Sequence, residues 1–375
     1  MKCVITGYGI VSRVGIGARD FERGMQGEPV AFVRATDAGY EADTLVAPAS
    51  NFDPKVYLGE KGLRSLDQQT KLVLAASRLA LHDSGLKQDE AWRNGDAETT
   101  GFILSTAYPS LEAIHELVRV FLLEEPRYIN PNQFPNTVSN TPAGYASIWE
   151  GYRALNVTVS TGNTGGLDAL CLAESFLATG RAKAIVVGGA DSLSPALVAG
   201  IGLTGAQIVA GEGAALLALE SEANAAARGA RQLATILGFG SSTAFTDENS
   251  AVHLSSSALS AAIELALEDA GISVNDIDLV VSGLGAHQKA DIVELEAIDA
   301  LLPNAPLAAP KRYFGETFGA AGTFAIASAL AWRDGVPAAA MLRGATSQPR
   351  MLLITSLGLY GNATACVIRL NARES

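Results

Sequence analysis

Short apolar runs bounded by turn residues recur along the chain and predict buried strands. They fall at 4–6, 101–105, 157–160, 184–188 and 214–219, and then at 279–282, 351–355 and 364–369. Between them the apolar positions change to helical spacing. Leu72, Ala75, Ala76 and Leu79 share one face of a helix that should stop near Gly85, a residue suited to the left-handed position after a helix end. Leu111, Ile114, Val118 and Phe121 form a second such face, and Leu259, Ala262, Ile263 and Ala266 a third. Strands alternating with helices predict a layered α/β fold.

The pattern also echoes itself. Thr161-Gly162-Asn163-Thr164-Gly165-Gly166 opens an Ala/Leu-rich helix that leads into the run at 184–188. Far downstream, the segment from Gly315 through Glu316, Thr317, Phe318 and Gly319 to Gly322 opens another Ala-rich helix, followed by the run at 351–355. Both helices are apolar nearly all round, which predicts that both are central and buried. Two related halves follow, an N-terminal one over 1–228 and a C-terminal one over 229–375, joined within the polar, Ala-rich stretch 220–232.

Composition narrows the function. With 48% hydrophobic and 18% charged residues, the 375-residue chain can bury a large core, and its 38 glycines favour tight turns and close helix packing. A net charge of −12 argues against nucleic acid and against an anionic membrane surface. Cys3, Cys171 and Cys366 stand at no metal-ligand spacing, so neither a disulfide framework nor a metal site is expected, and a reducing cytoplasm fits best. The N-terminus predicts a strand and turn rather than a signal peptide, and no run is long enough to span a membrane.

Several motifs in order, ITGYGIVSRVG, NPNQFPN, STGNTGGLDAL, VVGGAD, GEGAALLALE, FGAAG and GLYGN, run along nearly the whole chain. Together they resemble the β-ketoacyl-acyl-carrier-protein synthases of fatty-acid and type II polyketide synthesis. The resemblance implies the five-layered αβαβα thiolase fold, with two pseudo-twofold-related halves, and no cofactor. It also implies a chemistry that needs a Cys nucleophile at the start of the first central helix and two His residues. The Cys position, in a pattern like STACASG, holds Asn163. In the segment like HGTxTxxGDxxE, Asp291 and Glu294 fix the register and leave Gly283 at the first His. In the segment like KSxxGHxxGAAG, Lys311 is retained but Glu316 stands at the second His. A carboxamide forms no thioester, and a carboxylate has the wrong sign to stabilise an oxyanion or accept a malonyl group.

A ketosynthase-like chain without these groups resembles a chain-length factor, the inactive partner of an active ketosynthase in a heterodimer, in polyketide or aryl-polyene-like pathways. The implied partners are that ketosynthase and, through it, the acyl carrier protein. Leu111, Gln133 and Phe134 fall where the family lines its acyl chamber, and the strand at 157–160 falls at the centre of family dimers. The polar loop of the family between Leu203 and Gly211 is missing. Two other functions remain open: an acyltransferase or hydrolase using Glu316 with His287, and a homodimeric acyl-binding or regulatory protein. Among single residues, Asn163 also suits a helix N-cap. Cys171 suits a small core residue. Lys311 suits a salt-bridge partner of Glu316, and His82, His115 and His253 suit surface or satisfied positions.

Overall fold

The computed structural model describes residues 2–245 and 252–372. Its N-terminal half contains strands β1 (Cys3–Ser12), β2 (Thr100–Ser105), β3 (Asn156–Val159), β4 (Ala184–Asp191) and β5 (Gly213–Ser221). The C-terminal half repeats the set as β6 (Ala234–Thr243), β7 (Leu279–Val281), β8 (Leu307–Ala308), β9 (Met351–Leu357) and β10 (Asn362–Leu370). The spatial orders are β3-β2-β4-β5-β1 and β8-β7-β9-β10-β6, with one further edge strand, Met341–Arg343, beside β8. In each half the two pairings farthest from β1 or β6 are parallel and the other two antiparallel. The halves therefore share one topology. They meet where Cys3–Ile5 of β1 pairs antiparallel with Ala234–Ile236 of β6, which makes one continuous eleven-stranded ladder.

Helices complete the five layers. Gln68–Asp83 covers the outer face of the first half and packs on Thr141–Glu150, whereas Ser256–Ala270 covers the second and packs on Gln288–Leu301. The first helix starts at Asp67, whose carboxylate accepts from the Thr70 N–H at 2.8 Å. Both outer helices lie unusually close to a strand. A Cβ on Gly9 of β1 would stand 2.0 Å from the Ala76 carbonyl oxygen, and one on Gly240 of β6 would stand 2.0 Å from that of Ala262. Both strands bulge just before these contacts, between Ile5 and Gly7 and between Ile236 and Gly238. The repeat thus extends to backbone detail.

The middle layer is the pair of helices Gly165–Ala178 and Ala321–Ala331, each packed against strands of both halves. Small residues let them touch: a Cβ on Gly166 would lie 3.1 Å from the Thr323 nitrogen. Every residue of Ala321–Ala331 is buried, as its apolar sequence predicts. The first helix departs from that expectation. Cys171 and Ser175 are exposed, so Cys171 is a border residue and not the core residue its apolar surroundings suggest. Among the described residues, no helix is long and apolar enough to cross a membrane.

Candidate functional site

The two central helices open on matching turns. A 3-10 turn over Gly162–Thr164 leads into the first, and one over Phe318–Ala320 into the second. Gly162 and Phe318 occupy the same place in each turn, and both have positive φ, 72° and 48°. Such a backbone is strained for Phe318. It is held there by the Glu316 carboxylate, whose Oε1 accepts from the Phe318 N–H at 2.8 Å, and by the Tyr108 ring packed edge-on at 5.0 Å.

Asn163 sits in the first turn at 4% exposure, and its backbone oxygen accepts from Ser356 Oγ at 2.8 Å. Its side chain does not cap the helix. In the helix's first turn, Asp168 ties the surroundings together by accepting from Thr161 Oγ1 at 2.5 Å, from Thr164 Oγ1 at 2.8 Å and from Thr364 Oγ1 at 2.6 Å. The turn is therefore rigid, and the residue at its tip is a neutral amide.

Glu316 and Lys311 form a buried ion pair, with Nζ 2.5 Å from Oε2 and side-chain exposures of 2% and 9%. Burial works to lower the Lys311 pKa, but Glu316, Glu294 and Asp291 together hold it above its ordinary value. The ammonium is thus locked in its charged form and already engaged. Glu294 accepts from the Gly283 N–H at 2.7 Å and from Thr355 Oγ1 at 2.6 Å. Burial pushes its pKa up, as it does for Asp291, which accepts from the Gly285 N–H at 3.0 Å. A Cβ on Gly283 would stand 2.7 Å from Glu294 Oε2, so the carboxylate fills space that a side chain at 283 would need.

The short connection over 205–212 is stitched onto this site. The Glu316 N–H donates to Val209 O, and the Gly211 N–H donates to Glu316 O, both at 2.7 Å. Ala210–Gly211 then pairs with Leu45–Ala47. His287 is drawn into helix capping: it precedes Gln288–Leu301, and its Nδ1 accepts from the Ala290 N–H at 3.4 Å. Burial lowers its pKa, which favours the neutral, accepting ring. Glu316 and His287 each have other partners, so the structure offers no acid–base dyad built from them.

One buried group went unnoticed in the sequence. Asp191 ends β4, in the VVGGAD motif, and is fully buried. It accepts from Thr106 Oγ1 at 2.7 Å and from the Ala107, Tyr108 and Gly319 N–H groups at 2.8–3.0 Å, which ties the end of β2 to the second turn. Burial pushes its pKa up to about 6.

The three residues placed at the acyl chamber are spread over the 111–134 region. Leu111 starts the helix Leu111–Leu123 and packs half-buried on a cluster that includes Leu197, Val198 and Phe318. Gln133 Oε1 accepts from Asn136 Nδ2 at 3.0 Å. Phe134 is 63% exposed. Much apolar surface surrounds them, with Ile114, Val118, Phe121, Leu122 and Leu123 all exposed. Among the described residues strand β3 pairs with β2 alone, so its other edge is open, and Thr158 Oγ1 has no partner among them.

Two repeated halves enclosing a pair of buried central helices define a thiolase fold. Within that class the chain belongs to the β-ketoacyl synthase family: residues 4–209 match the Beta-ketoacyl synthase N-terminal domain, and 233–339 the C-terminal domain. It is 29% identical to a Streptomyces halstedii protein assigned as polyketide beta-ketoacyl synthase 2, covering 99% of this chain and 98% of that one. It is 28% identical to 3-oxoacyl-[acyl-carrier-protein] synthase 2 of Vibrio cholerae, covering 86% and 83%. Among solved structures, the ishigamide ketosynthase/chain length factor superposes with a TM-score of 0.85 at 21% identity, over 99% of both chains.

Proposed function

We propose that this chain is a catalytically silent ketosynthase-family subunit, a chain-length factor, that pairs with an active ketosynthase and shapes the far end of its acyl tunnel. The observation that carries the reading is the buried Lys311–Glu316 pair beside a turn tipped by Asn163. A working centre needs a nucleophile and groups that stabilise developing negative charge. Here the nucleophile's place holds an amide, the retained ammonium is neutralised by Glu316, and the Phe318 N–H is consumed by the same carboxylate. The open edge of β3 and the exposed apolar helix Leu111–Leu123 support a protein partner, because unpaired edges and apolar patches on a chain of this size are surfaces to be covered. In this division the partner carries the thioester and meets the acyl carrier protein. The carrier, acidic in this family, is repelled by a chain of net charge −12.

The test is co-expression with ketosynthases that retain their Cys and both His residues, followed by pull-down, acyl loading and intact-protein mass spectrometry. The expected result is a one-to-one complex in which the acyl mass appears on the partner and never on this chain. A stoichiometric adduct on this chain would refute the silent-subunit reading. A soluble monomer that ignores every such ketosynthase would refute the pairing.

A further inference from the structure

Residues 111–137 form an arm with little hold on the rest of the chain. Of them, Asn136 alone is buried. The helix Leu111–Leu123 has no buried residue, although it is rich in Leu and Val. A helix of 13 residues is marginal on its own in water, so neighbours must hold it. Its inner side, with Leu117 and Val120, stands over a cleft of about 610 Å³ whose opposite wall carries Arg64, Asp67 and Lys71. Its outer side, with Val118, Phe121 and Leu122, is exposed. Neither side rests on a core.

The polar contacts agree. Among the described residues, every hydrogen bond and ion pair of 112–134 has its partner within 110–138. The attachments to the body lie at the two ends. Leu111 packs on the cluster that includes Leu197 and Val198. At the other end, Asn136 Nδ2 donates to Ser65 O at 3.1 Å, and Thr141 Oγ1 donates to Pro135 O. Ser110 Oγ donates to Val138 O at 3.0 Å, which closes a neck between the ends. Ser110 is buried with φ of 61°, a left-handed backbone that Ser seldom adopts. Lifting 112–134 off the body therefore breaks no hydrogen bond to it and exposes little buried apolar surface. Segments of that kind open at free energies far below that of global unfolding.

We propose that 111–137 is a hinged flap that swings as one unit about the Ser110–Val138 neck, and that a protein covering its apolar outer face clamps it down over the cleft. The swing depends on this chain alone, whereas the clamp rests on the pairing with a ketosynthase proposed above.

Tryptic cleavage and hydrogen exchange test it on the full chain, diluted until mass photometry shows a monomer. Cleavage should come first at Arg119 and Arg127, inside the flap. Amides of 112–134 should exchange at least about a hundredfold faster than those of the buried helix Ala321–Ala331. Asn136→Ala removes the bond to Ser65 and should speed cleavage at Arg119, far along the flap, about fivefold while exchange in the body is unchanged. In a one-to-one complex with an active ketosynthase, exchange over 112–134 should slow at least about tenfold. Flap amides as protected in the free chain as those of Ala321–Ala331, or an Asn136→Ala effect confined to neighbouring amides, would overturn the flap. Unchanged exchange in a complex of verified stoichiometry would overturn the clamp. Failure of every ketosynthase to bind would instead refute the pairing, and the clamp with it, while the flap is decided on the free chain.

Discussion

The Lys311–Glu316 pair gives the sharpest test of the site's electrostatics. In Lys311→Met, Glu316 Oε2, at 1% residue exposure, loses the ammonium paired with it, with Glu294 and Asp291 still nearby. Removing one member of a buried pair costs about 3–5 kcal/mol, because the remaining charge is left uncompensated. At roughly 2.1 cal/mol/K per residue of unfolding entropy, a cost of about 4 kcal/mol lowers the Tm of 375 residues by about 5 °C. The double variant Lys311→Met/Glu316→Gln removes both charges and should recover most of that loss. The penalty should also depend on pH. Glu294 and Asp291 already have folded-state pKa values above their ordinary ones. The native state therefore binds protons before the unfolded chain does, and stability from these groups rises as pH falls through the raised values. Without the ammonium those values climb further, so the single variant's deficit should shrink between pH 7 and pH 5. Urea denaturation of the three proteins at both pH values measures this. A single-variant loss under about 1 kcal/mol, the same at both pH values, would show that Lys311 does not compensate a buried charge.

Two further outcomes follow from the same geometry. His287 caps its helix only as a neutral acceptor, and burial lowers its pKa, so its contribution is full above about pH 6.5 and lost as pH falls. His287→Ala should cost about 0.5 kcal/mol at pH 7.5, since the bond is long, and the cost should shrink as pH falls below the lowered value; a deficit that stays constant down to the pH at which the ring is shown by NMR to be protonated would refute the cap. Phe134→Ala, at an exposed position, should leave the free chain's stability within about 0.5 kcal/mol. In a complex with an active ketosynthase it should lengthen the carrier-bound products, and Leu111→Trp should shorten them. Mass spectrometry of those products gives the answer, and an unchanged distribution would place the tunnel's end elsewhere.

The strands with continuous apolar runs were legible, because burial on both faces leaves that pattern; each predicted run overlaps an observed strand, with 157–160 displaced by one residue. The repeat of the two turns was legible from Thr161 and Thr317 onward. Strand β6 was not. Gly238 and Gly240 break its apolar pattern, and they are there because a neighbouring helix backbone leaves no room for a side chain. Strand β8 has only two residues, too few for any period to register. At the site, the residue types at 163, 283 and 316 could be read directly. The pairing of Lys311 with Glu316 could be read as well, but Glu294 closing on Gly283 and Asp191 gathering three backbone N–H groups could not, because both are products of packing.

The close approaches at Gly9 and Gly240 lie apart from the turns that carry Asn163 and Glu316. At both positions a single methyl group would collide with main-chain atoms of a covering helix, which cannot yield without lifting that helix off its sheet. None of Asn163, Gly283 or Glu316 takes part in either joint. Side chains at those three positions can therefore differ while the framework keeps its geometry. A side chain placed at either glycine would distort the framework with every reactive position left intact.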